Sequence, residues 1–249
     1  MTQQLEIREC TSLDDLNECV RIQREVFSLP EIELSPVRHF IVTRNAGGWA
    51  LGAWDGDRLA GFVLSVPAFL RGERAYYSHM TGVRPEYQSL GLGAKLKWAQ
   101  RERALSEGVR YIKWTFEPTK ARNAYFNLEK LGATVAEYKV NFYGTDYGAD
   151  PDIPQEIGLA SDRLFAEWEL DSPKVTALSN GSDWNESAEP AARIEIMNDW
   201  IAFAGADRAE ARRQQERVRS EFQSAFANGL IGRSFVRDAD QPAYLLYSK

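Results

Sequence analysis

A chain of 249 residues, 44% of them hydrophobic, is long enough to bury one substantial core or two modest ones. A net charge of −6 and a pI near 5.2 exclude general affinity for nucleic acid, so any anion site must be local. No apolar run approaches the ~18 residues of a membrane span, MTQQLEIREC has no signal-peptide pattern, and two cysteines make neither a disulfide framework nor a zinc site. The expectation is a cytoplasmic protein with no metal, nucleic-acid or membrane partner.

In chain order, LEIREC reads as a strand, and Thr11 or Ser12 then caps a helix to about Phe27. Its apolar stripe is Leu13, Leu16, Val20 and Phe27, with Cys19 as a core residue. Ser35 and Pro36 open a second helix, which Asn45-Ala46-Gly47-Gly48 closes. WALGAW and RLAGFVLSV flank Asp55-Gly56-Asp57, a hairpin signal, and the turn at Arg71-Gly72 leads into AYYSHMTGV. Residues 91–107 are helical and stop at Gly108, YIKWTFE is a strand with Ile112, Trp114 and Phe116 on one face, and ARNAYFNLEKLG is a helix ending at Gly132. Strand, crossover helix and strand make a parallel pair joined to an antiparallel meander.

ATVAEYKVNFYG and DRLFAEWEL supply two more strands, separated by residues 145–161. A connection of that length is either a lid over a substrate mouth or a solvated insertion. Its acidic residues and those after it, Asp146, Asp150, Asp152, Glu156, Asp162, Glu167 and Glu169, either attract a cationic amine or are solvated. Past Asp171 come a short helix, a polar linker NGSDWNESAEP, a strand around ARIEI, a long helix near 207–228 and a final hairpin across residues 238–241. The long helix carries Arg208, Arg212, Arg213, Arg217 and Arg219. Pairs such as Arg212 with Glu216 and Arg217 with Glu221 make it a salt-bridged solvent face.

Gly91-Leu92-Gly93 stands between the meander and a helix. A dinucleotide fingerprint would need a glycine where Leu96 stands, and a P-loop would need Gly-Lys-Ser/Thr where Gly93-Ala94-Lys95 stands. What remains is Gln88-x-x-Gly91-x-Gly93 at a helix N-terminus, where missing side chains and uncapped amides suit a pyrophosphate. Arg84, Lys95, Lys97 and Arg101 add positive charge to this stretch.

VRPEYQSLGLG resembles the coenzyme A motif Gln/Arg-x-x-Gly-x-Gly/Ala of the GNAT superfamily of N-acetyltransferases, and the order of elements through residue 171 is similar to that family's. SHM.GV on the fourth strand and NA.FN..KLGA on the fourth helix are similar to a group of acetyltransferases with a C-terminal extension. The resemblance implies an α+β fold with a mixed, mostly antiparallel sheet flanked by helices. It places a catalytic domain at 1–171 and a smaller α+β extension at 172–249, which completes the acceptor site or forms a homodimer interface. It implies acetyl-CoA or another acyl-CoA as co-substrate. Gln88, Ser89, Leu90, Gly91, Leu92, Gly93 and Ala94 would surround the pyrophosphate, Gly82 and Val83 the thioester carbonyl, and Asn123 the pantetheine arm.

Acyl transfer to an amine needs a base, a carbonyl donor and, usefully, an acid for the leaving thiolate. His79, on the fourth strand, is either the base or a structural histidine; the serotonin-type acetyltransferases carry a histidine at the same offset. Glu117 is a second base candidate, and its other reading is a polar strand end. The other histidine, His39, reads as an idle surface residue. The family's acid is a tyrosine where this chain has Leu128, so Tyr125, one turn earlier, is either the acid or a packing aromatic. The function expected is acyl-CoA-dependent N-acylation of a small-metabolite amine, amino acids included, from an acetyl or succinyl donor by direct transfer. The alternatives are a non-catalytic acyl-CoA-binding or scaffolding protein and a protein-amine acetyltransferase.

Overall fold

The computed structural model describes residues 5–27, 29–148 and 156–249, so Asp150, Asp152 and the middle of the 145–161 segment lie outside the described residues. The chain divides into two compact units, Met1–Lys113 and Trp114–Lys249.

In the first unit, β1 (Glu6–Glu9), β2 (Trp49–Asp55), β3 (Arg58–Leu70) and β4 (Glu73–Val83) form an antiparallel run, and β5 (Tyr111–Phe116) begins parallel to β4 through Ala75 opposite Tyr111. The two hairpins turn at the predicted glycines, Gly56 and Gly72, both at positive φ. Three helices pack on the strands: α1 (Leu13–Phe27), α2 (Val37–Asn45) and α3 (Leu92–Ser106). Ser12 Oγ accepts from Asp15 N, and the Asp15 carboxylate accepts from the Ser12 and Thr11 amides, a reciprocal cap that fixes the start of α1. The core under α1 and α2 joins Leu16, Cys19, Val20 and Ile22 to Phe40, Trp54 and Phe62.

Two local expectations change, and the core placement of Cys19 holds. Leu13 is 62% exposed, because the helix turns Ile22 inward instead. The cap of α2 is Pro36 rather than Ser35, and no side chain caps that helix, so the Ser35 hydroxyl is available for a longer-range contact. Cys10 and Cys19 are both buried, with sulfurs 3.9 Å apart.

In the second unit, α4 (Ala121–Tyr125) continues into a π-helical turn, Phe126–Lys130, before Gly132 ends it at φ 75°. The sequence pattern predicts one regular helix here; instead Leu131 N bonds Phe126 O, five residues back. β6 (Thr134–Lys139) pairs antiparallel with β7 (Arg163–Glu169), and β6 stops five residues short of the expected end at Gly144. After α5 (Pro173–Ser179, capped by Ser172) come β8 (Ala192–Glu195), α6 (Trp200–Ala206), α7 (Arg208–Ala227), β9 (Leu230–Val236) and β10 (Ala243–Ser248). The C-terminal strands join β6 through β9, giving the order β7-β6-β9-β10-β8. Helix α6 is absent from the sequence expectation.

Helix α7 also departs from a wholly solvent-facing reading. Arg212 and Arg217 pair with Glu216 and Glu221 as expected, but Arg208 reaches Asp146 and Arg219 reaches Asp162 at 2.9 Å. Two of the acidic residues considered as an attractor for amines are therefore internal partners of arginines. No helix among the described residues is long and apolar enough to cross a membrane.

Candidate active site

Gly91 sits in the left-handed region at φ 77° and opens α3 with no side-chain cap. The first helical bond there runs from Lys95 N to Gly91 O, 3.1 Å, which leaves the amides of Leu92, Gly93 and Ala94 facing out of the helix start. A Cβ on Gly91 or Gly93 would meet nothing within 4 Å, so the space before these amides is open. Ser89 is also left-handed, at φ 63°, and Leu90 is 66% exposed at the tip. Gln88 Nε2 donates to Val83 O at 2.9 Å, tying the turn to the end of β4. This backbone fits a pyrophosphate: convergent donors, a positive helix end and no side chain in the way.

The flanking charges are mostly engaged elsewhere. Arg84 is 7% exposed; it bonds Leu59 O at 2.7 Å and pairs with Glu18 and Glu25 at 2.9 and 2.5 Å. Lys97 is buried, donates to Ser78 Oγ and Gln100 Oε1 at 3.0 and 2.7 Å, and burial pushes its ammonium well below the usual lysine range. Arg101 is buried and pairs with Glu102 at 2.5 Å. Of the four cations expected near the turn, Lys95 is the exposed one, so the positive field comes chiefly from the helix terminus.

His79 owes its placement to a β-bulge. Leu64 faces Met80 while Ser65 faces Ser78, so His79 is the extra residue on β4, and its side chain leaves the regular alternation. Its Nε2 lies 3.2 Å from Ser35 Oγ, and its ring meets His39 edge-on at 5.2 Å. His79 still meets solvent, and desolvation, then repulsion from His39, push it down to about 4. The ring is therefore uncharged at neutral pH. His39 is not the idle surface residue expected: it is half-buried against His79, with Nε2 enclosed and without a hydrogen-bond partner among the described residues. Gly82 is buried against Ile22 and Phe62, and Val83 is half-buried.

In the second unit, Glu117 follows β5 and pairs with Lys120 at 2.7 Å, with Arg163 at 3.9 Å. Asn123 is exposed in the first turn of α4. Tyr125 is half-buried, its ring flanked by Lys130 at 5.5 Å and Arg237 at 5.4 Å. Leu128 is fully buried core. Ser35 and His39 as neighbours of His79 were not expected, since Ser35 read as the opening of α2 and His39 as surface; the one sequence signal was that His39 is the chain's other histidine.

Residues 14–133 match the acetyltransferase (GNAT) family. The chain carries a GNAT acetyltransferase domain. The fold is similar to that of a GNAT-family protein from Desulfovibrio desulfuricans, with TM-score 0.55 and 18% identity over 67% of this chain and 99% of that one. A GNAT acetyltransferase from Elizabethkingia anophelis with acetyl-CoA bound gives TM-score 0.50 and 15% identity, over 68% of this chain and 100% of that one. The ribosomal-protein-S18-alanine N-acetyltransferase of Escherichia coli gives 0.50 and 16%, over 74% and 99%. No curated protein matches the chain in sequence. The likeness to these structures is one of fold, a mixed, mostly antiparallel α+β architecture.

Proposed function

We propose that the chain is an acyl-CoA-dependent N-acyltransferase that transfers the acyl group directly to the amine of a small metabolite. The observation that carries this is the uncapped N-terminus of α3 behind left-handed Gly91, within the matched GNAT domain. The amides of residues 90–94 would hold the pyrophosphate, with Gln88 and Ser89 shaping the turn, and acetyl-CoA bound to the Elizabethkingia relative supports the donor class. The backbone at Gly82 and Val83 would donate to the thioester carbonyl, and Asn123 would bond the pantetheine arm. His79, uncharged at neutral pH and aimed by its bulge, is the proposed base, ahead of Glu117, which Lys120 already engages. Tyr125, half-buried with Lys130 and Arg237 beside its ring, is the proposed proton donor to the thiolate. We place the catalytic domain at 1–171, with 172–249 as an extension, and the protein in the cytoplasm.

The test is release of free thiol from acetyl-CoA and succinyl-CoA across a panel of amino acids, polyamines and an N-terminal peptide. Turnover with a small amine supports the proposal. Coenzyme binding without turnover on any acceptor would favour the non-catalytic reading, which buried Leu128 in the usual tyrosine position supports. Turnover confined to the peptide would favour protein acetylation. Gly91→Val gives a second readout. A β-branched residue at φ 77° is strained, by about 1–2 kcal/mol for left-handed backbone, and its side chain fills the space before the amides. Acetyl-CoA affinity is expected to fall at least ~10-fold, the equivalent of ~1.4 kcal/mol, as read by calorimetry.

A further inference from the structure

A cavity of about 190 Å³ lies wholly within the second unit, bordered by Glu117, Tyr147, Ser161, Arg163, Trp200 and Gln215. At ~30 Å³ per water it has room for roughly six waters, the size of a small metabolite or of a short acyl group. Helices α6 and α7 supply Trp200 and Gln215, so the C-terminal segment builds one wall.

The polar groups around this space are mostly committed. Arg208 is held by Asp146 and by Ile157 O. Asp162 accepts from Arg219, Tyr138 and Asn141 N. Gln215 both donates to Ala160 O and accepts from Ala160 N. Ser161 Oγ accepts from Tyr143 N. Glu117 is paired with Lys120.

Arg163 is different. Its side chain is 9% exposed, and its guanidinium lies over Tyr143 at 5.0 Å and near Tyr147 at 5.8 Å. Among the described residues its side chain makes one hydrogen bond, from Nη1 to Asp162 O at 2.9 Å; Glu117, already engaged by Lys120, pairs with it only loosely, its oxygen 3.9 Å from Nη2 and too far for a hydrogen bond. A guanidinium carries five donors in a rigid fork. Arg163 borders the cavity with its side chain 9% exposed and its guanidinium against aromatic rings, a setting in which an anion completes the fork with strong, charge-assisted hydrogen bonds. The fork matches a carboxylate, and Tyr147 and Trp200 give the otherwise polar lining two aromatic surfaces against which an organic body can rest.

We propose that this cavity binds a small organic carboxylate, anchored by Arg163. The use of that site rests on the acyl-transfer reading above: the carboxylate belongs either to an amino-acid acceptor or to a dicarboxylic acyl group such as succinyl. The two sources share one chemistry and differ in which molecule carries it.

The test is calorimetric binding to the full-length wild-type chain of glycine, L-leucine and L-phenylalanine, each beside its carboxamide, with acetyl-CoA, succinyl-CoA and sodium phosphate in parallel. For an amino-acid source, at least one acid binds at least tenfold more tightly than its amide. For an acyl source, succinyl-CoA outbinds acetyl-CoA by the same margin. Arg163→Gln abolishes whichever preference is seen, and Arg163→Lys, which keeps the charge and loses the fork, restores it only in part. Equal binding of acids and amides together with equal binding of both thioesters overturns the proposal, as does binding of phosphate alone. The comparisons on the wild-type chain need no variant and hold even where Arg163→Gln fails to fold. Carboxylate selectivity without turnover would contradict the acyl-transfer reading and keep the cavity assignment; turnover without selectivity would do the reverse.

Discussion

Replacing Asp162 by alanine is expected to cost the second unit about 3–5 kcal/mol, the usual penalty for breaking a buried ion pair. The Asp162 side chain has no solvent exposure, and its two oxygens accept from Arg219 at 2.9 and 3.2 Å, from Tyr138 Oη at 2.6 Å and from Asn141 N at 2.9 Å. Burial and the carboxylate together push the Tyr138 hydroxyl above the ordinary tyrosine range, so that hydroxyl remains a donor at any working pH. Alanine removes the acceptor for all three groups at once. Arg219, with 24% exposure, can turn toward water, whereas Tyr138 Oη and Asn141 N lose a partner inside the protein at about 1–3 kcal/mol for each buried group. Asp162→Asn keeps an acceptor and is expected to lose less. Urea unfolding of the two variants measures the difference, and a loss under about 1 kcal/mol for Asp162→Ala would mean that the network contributes little.

His79→Ala should lower kcat/KM by about 100-fold at neutral pH, the lower end of the range for a lost general base. The lower end is expected because a base held near pH 4 has little driving force to take a proton, while staying available at every higher pH. The acid limb of the wild-type profile should therefore fall below 6.5, the ordinary histidine value, and should vanish in His79→Ala. His39→Ala removes the repelling neighbour and should move that limb upward. A limb that stays in place in His79→Ala would remove His79 from the role. The same depression has a stability consequence of definite sign. Between pH 6.5 and about 4 the unfolded chain protonates this histidine and the folded chain does not, so His79 lowers stability as pH falls through that window and adds no further loss below it.

Features set by short-range chemistry were legible in the sequence. Gly56, Gly72, Gly91 and Gly132 each take a positive φ where a turn or helix end needs one, and Ser12 caps where the apolar period begins. Charge spacing was a poorer guide, because it does not reveal which helix face is covered. Lys97 and Arg101, four residues apart on α3, look like an anion-attracting stripe and are buried on the strands. Arg208 and Arg219 look like solvent-facing partners and reach inward to aspartates. The π-helical turn after Tyr125 has no signature in a period of 3.6, so the side-by-side relation expected for Tyr125 and Leu128 separates into a half-buried ring and a core leucine. The His79–His39–Ser35 cluster depends on a one-residue slip between β3 and β4, and alternation alone cannot show that slip.

The central claim is that the Gly91 turn holds the pyrophosphate of an acyl-CoA. Thermal denaturation of the wild-type chain with CoA, acetyl-CoA and NADH tests it most directly, since a ligand that binds the folded state alone stabilises it by about 2.7 kcal/mol at 100 times its Kd. The predicted result is a dose-dependent rise in Tm with CoA and acetyl-CoA, none with NADH, and a much smaller rise in Gly91→Val. No rise with either coenzyme, or an equal rise with NADH, would contradict it.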